Sequence, residues 1–207
     1  WSENAQEAYD NLIQAFRIGE DHAVRLPVMV CMDGFIISHS ISRIQYLPDE
    51  KVREFVGPFR PRHPLLDTTR PKSYGPLILT DQYHEYKKVQ DEVMGRVFEV
   101  VTAVADAFQA VSGRTYGLFE TYRLEDAEIG LVLLNSAAGT AKDAVDEVRD
   151  KGFKVGLLKP RLFRPFPYAQ VREAFGLPHA DRKHRNRKRR QTFQAPALAI
   201  ADAIAED

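Results

Sequence analysis

The chain has 207 residues, 44% of them hydrophobic, and its 29 basic residues balance 29 acidic ones, so it can bury a core of one or two domains and is not basic throughout. One cysteine, Cys31, excludes an internal disulfide framework and a cysteine-based metal site and suits a reducing cytoplasm. No run of about 18 apolar residues and no basic-then-apolar leader occurs, so neither a membrane span nor a signal peptide is expected.

The chain opens on Trp1 rather than Met, which reads as processing or as a fragment. "SENAQEAYDNLIQAFRIGED" predicts an amphipathic helix with Ser2 as N-cap and Ala8, Leu12, Ile13, Ala15, Phe16 and Ile18 on its apolar face. "LPVMVCMDGF" (26–35) is nearly continuous in apolar residues and predicts a strand buried on both faces of a parallel sheet. Such a sheet requires partner strands, and none precedes this helix. "DGFIISHS" follows at the strand's carboxyl edge, where Asp33, Gly34, Phe35, Ser38 and His39 are candidates for a site edge; capping and satisfied buried groups are the plainer roles for Asp33 and His39.

Residues 47–80 contain six prolines and no sustained period, the pattern of an extended connector. From Asp81 one long helix is expected, with Val89, Val93, Val97, Val100, Val101, Val104, Phe108 and Val111 at helical steps and a stop at Ser112-Gly113. Then come a strand (129–134), a small-residue turn (135–140), a helix (141–151), a Gly152 cap, a strand (154–159) and a helix near 168–175. Together they predict a βαβ unit with parallel strands. "NSAAGTAKD" would present free N–H groups to an anion, but it lacks both the G-x-G-x-x-G spacing and the Lys-Ser/Thr pair of a P-loop. Its simpler reading is close packing at Gly139 with Ser136 or Thr140 as cap. "RLFRPFP" puts Arg161, Phe163, Arg164 and Phe166 just past a strand's carboxyl end, a place for a subunit or domain contact; a buried Pro-set turn is the other reading.

The six histidines show no zinc spacing, no G-x-S-x-G elbow is present, and no catalytic, cofactor-binding or metal residue is assigned. "DRKHRNRKRR" (181–190) holds seven Lys/Arg and one acid, leaving 22 basic against 28 acidic residues elsewhere. A linear block of like charge reads as a solvated segment before it reads as a duplex-binding face.

"LPVMVCMDGFIISHS", "YRLEDAE" and "SAAGTAKDAVDEVRDKGFKVGLLKPRLFRPFP" together resemble the alpha chain of the pyruvate:ferredoxin oxidoreductases, within the thiamine-diphosphate-dependent 2-oxoacid:ferredoxin oxidoreductase family. The resemblance runs from about Ser2 to about Phe175. It implies an α/β fold: the last helix and strand of a thiamine-diphosphate pyrimidine-type domain (1–46), the connector (47–80) and a transketolase-C-like three-layer domain with a mainly parallel sheet (81–207). It also implies a cytoplasmic, oligomeric enzyme of anaerobic metabolism that decarboxylates pyruvate oxidatively to acetyl-CoA. That holoenzyme uses thiamine diphosphate, Mg2+, iron–sulfur clusters and coenzyme A, and passes electrons to ferredoxin through partner subunits or domains. The family's carboxylate for the aminopyrimidine and its oxoacid-binding arginine match no residue here, so the chain is expected to be structural and inactive alone.

After Phe175 the family pattern of an apolar strand and a Gly-rich segment is absent, and 176–193 reads as aberrant or disordered, by frameshift, truncation or divergence. Burying "KHRNRKRR" as a strand would cost several kcal/mol per unpaired charge. "APALAIADAIAED" could form a final short helix. The competing function is a stand-alone α/β module binding nucleic acid or another polyanion through the basic run.

Overall fold

A computed structural model of the chain describes residues 1–177. The basic run, the rest of the 176–193 segment from 178 on and the expected last helix lie outside the described residues. The described elements are α1 (Ala5–Glu20), α2 (Asp49–Val56), α3 (Tyr83–Met94), α4 (Val97–Ser112), β1 (Phe119–Tyr122), β2 (Ile129–Val132), α5 (Ser136–Asp150), β3 (Val155–Pro160) and α6 (Tyr168–Ala174). The described residues fall into two compact units, one made of 1–9, 30–44 and 116–177, the other of 10–29 and 45–115.

The first unit is built on a three-stranded sheet of order β1-β3-β2. β2 runs parallel to β3, with Ile129 opposite Val155 and Val132 opposite Leu158, as the βαβ reading requires. β1 pairs antiparallel on β3's other side, Phe119 opposite Pro160, so the described sheet is mixed rather than mainly parallel. β1 was not expected; its "FETY" is four residues with two exposed polar positions and carries no apolar run. The central strand β3 is buried along its whole length. Ala138, Ala141 and Val145 recur at three- and four-residue steps on α5, and this face packs on Val155 and Leu157. α5 starts at Ser136, earlier than the expected 141, because the small residues of the turn are themselves helical.

Gly156 shows why β3 reads as it does. A Cβ there would lie 2.6 Å from the Arg123 carbonyl oxygen and 2.8 Å from Leu124 Cα, both backbone atoms that cannot swing aside. Gly156→Ala is therefore expected to destabilise the chain by about 1–3 kcal/mol through overpacking. Its urea midpoint should fall with an unchanged slope; an unchanged midpoint would show that the segment at 123–124 yields freely.

The second unit packs the apolar face of α4. Val97, Val101, Val104, Ala105 and Phe108 are buried, and Phe108 meets Phe55 of α2 edge to face with ring centroids 5.3 Å apart. Gly113 closes α4 in the left-handed region at φ 73°, its N–H donating to the Gln109 carbonyl at 2.8 Å. Two expectations fail here. The long helix from Asp81 is interrupted at Gly95, where Arg96 N donates to Val93 O at 2.9 Å, a three-residue step. Upstream of that break Val89 is 60% exposed, so the apolar period does not mark a buried face throughout. The 47–80 connector also contains α2, whose amphipathic turn inserts Phe55 into the core.

Residues 26–35 form no strand in the described structure. Met29 and Met32 are exposed at 84% and 50%, and Cys31 O accepts a hydrogen bond from Ser2 N at 2.8 Å. Among the described residues no strand pairs with this run to take its remaining backbone groups, and without a ladder an apolar sequence does not become a sheet strand. Its end folds into a turn, with His39 N donating to Phe35 O at 3.0 Å. Ser2 is buried but does not cap α1. Asn4 does, its Oδ1 accepting from Glu7 N at 2.9 Å.

Candidate functional site

In the first unit the carboxyl ends of β2 and β3 lie at one edge, because the two strands are parallel neighbours. After β2 the chain runs through Leu133 and Leu134 to Asn135, whose φ of 57° reverses it into α5. Asp33 comes to this helix N-terminus. Its Oδ2 accepts from Ser136 N at 3.1 Å and from the Ser136 hydroxyl, while Oδ1 accepts from Ile37 N at 3.1 Å. The free N–H end that could have attracted a ligand anion thus holds the chain's own carboxylate. The Ser136 hydroxyl, ahead of the backbone bonds, holds the Asp33 carboxyl below its ordinary range.

A depressed carboxyl contributes stability above its unfolded value of about 3.9 and loses it as pH falls through the folded value. Asp33→Asn is therefore expected to lower the melting temperature at pH 7 and to narrow the gap from wild type as pH approaches 3. Parallel melting curves between pH 3 and 7 check this, and a gap that widens in acid would contradict it.

The other candidates on this loop are exposed. Gly34 has open space around its Cα, the Phe35 ring stacks on His39 at 5.9 Å, and the Ser38 hydroxyl lies 2.7 Å from His39 Nδ1. The hydroxyl also accepts from Phe35 N at 2.9 Å, so Ser38 and His39 close the turn.

After β3, Arg161 turns inward. It is 9% exposed, its guanidinium covers the Tyr116 ring at 4.9 Å and donates to Gly117 O at 3.2 Å, and its N–H bonds Leu118 O. Phe163 meets Trp1 and Phe166 edge to face, and Phe166 meets Tyr168. Phe163, Arg164 and Tyr168 are the exposed members of this edge. Trp1 and Ser2 tie the two candidate segments together, through Trp1 N to Arg161 O and Ser2 N to Cys31 O.

Beneath this edge is a charged cluster that sequence reasoning did not find. Lys159 of β3 reaches Glu3 and Glu120 at 2.7 Å and Glu7 at 3.1 Å. Lys142 of α5 shares Glu3 at 2.9 Å and Glu120 at 2.7 Å. The Lys159 side chain is 7% exposed and that of Glu7 5%. Burial alone would lower the Lys159 ammonium, but the charge of Glu7 and hydrogen bonds to Glu120 and Glu3 outweigh it and hold the group above the ordinary lysine range. Lys142 is raised in the same way, burial again being overcome by Glu120 and Glu3. Burial works to raise Glu120, and Lys142 and Lys159 hold it below its ordinary value instead. Gly139 makes room for the cluster, since a Cβ there would sit 3.2 Å from Glu3 Oε1. A lysine ending the apolar strand "VGLLKP" was the available signal, because a buried ammonium requires carboxylate partners.

In the second unit the fully buried Asp10 takes a two-pronged contact from Arg114, at 2.5 and 2.8 Å. The buried carboxylates Glu7 and Asp10 and the half-buried Glu3 are thus each engaged by a cation. With both charge and hydrogen bonds already taken up by cations, these three carboxylates do not fit the role that a thiamine aminopyrimidine would require of one. Among the described residues no group of three or more His, Cys, Asp or Glu is arranged to hold a metal, and no helix is long and apolar enough to cross a membrane.

Two family models match in succession. The thiamine-diphosphate-binding domain of pyruvate flavodoxin/ferredoxin oxidoreductases covers residues 1–106, and core domain II of pyruvate:ferredoxin oxidoreductase covers 127–180. Pyruvate synthase subunit PorA of Thermotoga maritima is 49% identical over 84% of this chain and 44% of its own length. The subunit of the same name from Methanocaldococcus jannaschii is 43% identical over 83% of this chain and 44% of its own. The alpha subunit of NADH-dependent phenylglyoxylate dehydrogenase from Aromatoleum evansii is 39% identical over 85% of this chain. The chain spans less than half the length of these relatives. With these matches and an α/β unit carrying the motif from Ser136 to Pro167, the chain belongs to the pyruvate flavodoxin/ferredoxin oxidoreductase family.

Proposed function

We propose that this chain forms part of the alpha component of an enzyme that oxidatively decarboxylates pyruvate to acetyl-CoA and delivers the electrons to ferredoxin. The observation that carries this reading is the 49% identity to a pyruvate synthase subunit over 84% of the chain, with both family matches in order. In the holoenzyme thiamine diphosphate supplies the carbanion chemistry, with Mg2+, iron–sulfur clusters and coenzyme A contributed through other parts of the assembly. The subunit names of the relatives support an oligomeric assembly with partner chains. The lone cysteine supports a cytoplasmic location.

In this reading residues 1–46 close a pyrimidine-type domain, 47–80 connect, and the chain from 81 forms a transketolase-C-like domain. The role of the described residues is scaffolding. Lys159 and Lys142 fasten the start of α1 to the sheet and α5, and the edge formed by Gly34, Phe35, His39, Phe163, Arg164 and Phe166, held from within by Asp33 and Arg161, faces neighbouring parts of the assembly. The nucleic-acid reading rests on 181–190, outside the described residues, and neither family match supports it.

A hybrid tests the proposal. Residues 1–175 would replace the matching stretch of the Thermotoga maritima subunit, assembled with its partner subunits. Pyruvate-dependent, coenzyme-A-dependent reduction of ferredoxin within about tenfold of the parent is expected, a loss of roughly 1.4 kcal/mol at most in transition-state stabilisation. A hybrid that assembles fully and oxidises no pyruvate would overturn it.

A further inference from the structure

Within the second unit, residues 62–74 close on themselves. The Tyr74 hydroxyl donates to the His63 carbonyl at 2.5 Å. Inside the loop Asp67 Oδ1 accepts from Thr69 N at 3.1 Å and from the Thr69 hydroxyl at 2.6 Å, and Asp67 N donates to Pro64 O at 3.2 Å. The loop walls a concavity of about 190 Å³ lined by Arg62, His63, Asp67, Arg70, Pro71 and Lys72.

Three permanent cations therefore face one carboxylate. That carboxylate is already engaged, by Thr69 and by Arg70, whose Nε lies 3.6 Å from Asp67 Oδ2. Arg62 and Lys72 have no carboxylate partner among the described residues. Like charges gathered in one concavity repel unless an anion joins them, and guanidinium groups bind phosphate oxygens through paired donors. The volume lies below the roughly 300–1,000 Å³ of a site for a drug-sized organic ligand, and suits one or two phosphate-sized groups.

We propose that this concavity binds a multiply charged phosphate group, with Arg62 and Lys72 as its main contacts and Arg70, oriented by Asp67, as a third. The group is either a free anion or the phosphate end of a larger molecule.

The test is calorimetric titration of the full chain with pyrophosphate at low ionic strength. One equivalent should bind, with affinity falling steeply as salt is added and acetate failing to compete. Arg62→Gln or Lys72→Gln should weaken binding about fivefold each, and the double variant by at least about twentyfold. Lys51→Gln, on α2 outside the loop, should leave it unchanged, and circular dichroism of each variant should match wild type. ADP titrated in the same way separates the two sources. Affinity within a few-fold of pyrophosphate assigns the phosphate end of a larger molecule, and loss of binding restricts the site to the free anion. No one-to-one binding, or an equal loss from Lys51→Gln, would overturn the proposal, because the attraction would then be diffuse surface charge.

Discussion

Lys159→Met should lower the unfolding free energy of the chain by about 3–5 kcal/mol, the cost of breaking a buried pair from one side. Methionine keeps the apolar stem and removes the ammonium, so the packing against β3 changes little while Glu7 loses its cation. Glu7 is almost fully buried and would retain its bond from Glu3 N at 2.7 Å, which cannot compensate a carboxylate's desolvation. Lys142 still holds Glu3 and Glu120, so the loss concentrates on Glu7. Glu7→Gln in the Lys159→Met background should then recover part of the stability, a coupling that a double-mutant cycle reads directly. Glu120→Gln should cost no more than about 1 kcal/mol, because that side chain is 44% exposed. A raised lysine contributes stability below its unfolded value and loses it only as pH rises through the higher folded value. Lys159 therefore adds no pH dependence around neutrality. Glu120, held low, contributes above its ordinary value and weakens the fold only in acid. Urea midpoints of Lys159→Met, Glu7→Gln, their double variant and Glu120→Gln decide the matter, and a Lys159→Met loss under about 1 kcal/mol would mean that the cluster is solvated in solution.

Arg114→Met should cost a comparable amount, about 3–5 kcal/mol, in the second unit. Asp10 is fully buried, and both of its oxygens accept from Arg114. Its guanidinium also lies 5.9 Å from the Phe108 ring, so the substitution strips charge from the same region that packs α4 against α2. Arg114→Lys keeps the charge but loses the fork that meets both oxygens, and should fall between wild type and methionine. Thermal unfolding of the three proteins gives the order, and equal melting temperatures for Arg114→Lys and wild type would show that charge alone suffices.

The parts of the fold legible in the sequence were those whose information is local. β2, α5 and β3 were read from two apolar runs of strand length around an amphipathic segment, and α4 from its valine period and its Gly113 stop. What the sequence could not show depends on distant partners. The apolar run at 26–35 reads as a buried strand, yet strand formation requires a neighbour to complete its ladder, and among the described residues none pairs with it. β1 was missed because its identity comes from pairing with β3 and not from its own composition.

The candidate edge was similarly half legible. Asp33 was singled out, and the helix start at Ser136 was considered for an anion, but their 103-residue separation hid the fact that each satisfies the other. Arg161, Phe163, Arg164 and Phe166 suggest a subunit or domain contact by their place past a strand's carboxyl end, with a Pro-set buried turn as the other reading. Nothing local shows that the Arg161 side chain turns inward onto Tyr116. The five-membered cluster joins positions 3, 7, 120, 142 and 159, and no spacing rule spans such distances.

The scaffolding role is tested most directly by Lys159→Met in the hybrid enzyme, measuring kcat and KM for pyruvate below the melting transition together with the melting temperature. The account predicts a lower melting temperature with both kinetic constants unchanged for the folded enzyme. A fall in kcat at an unchanged melting temperature would contradict it, because Lys159 would then act on the chemistry instead of holding the fold.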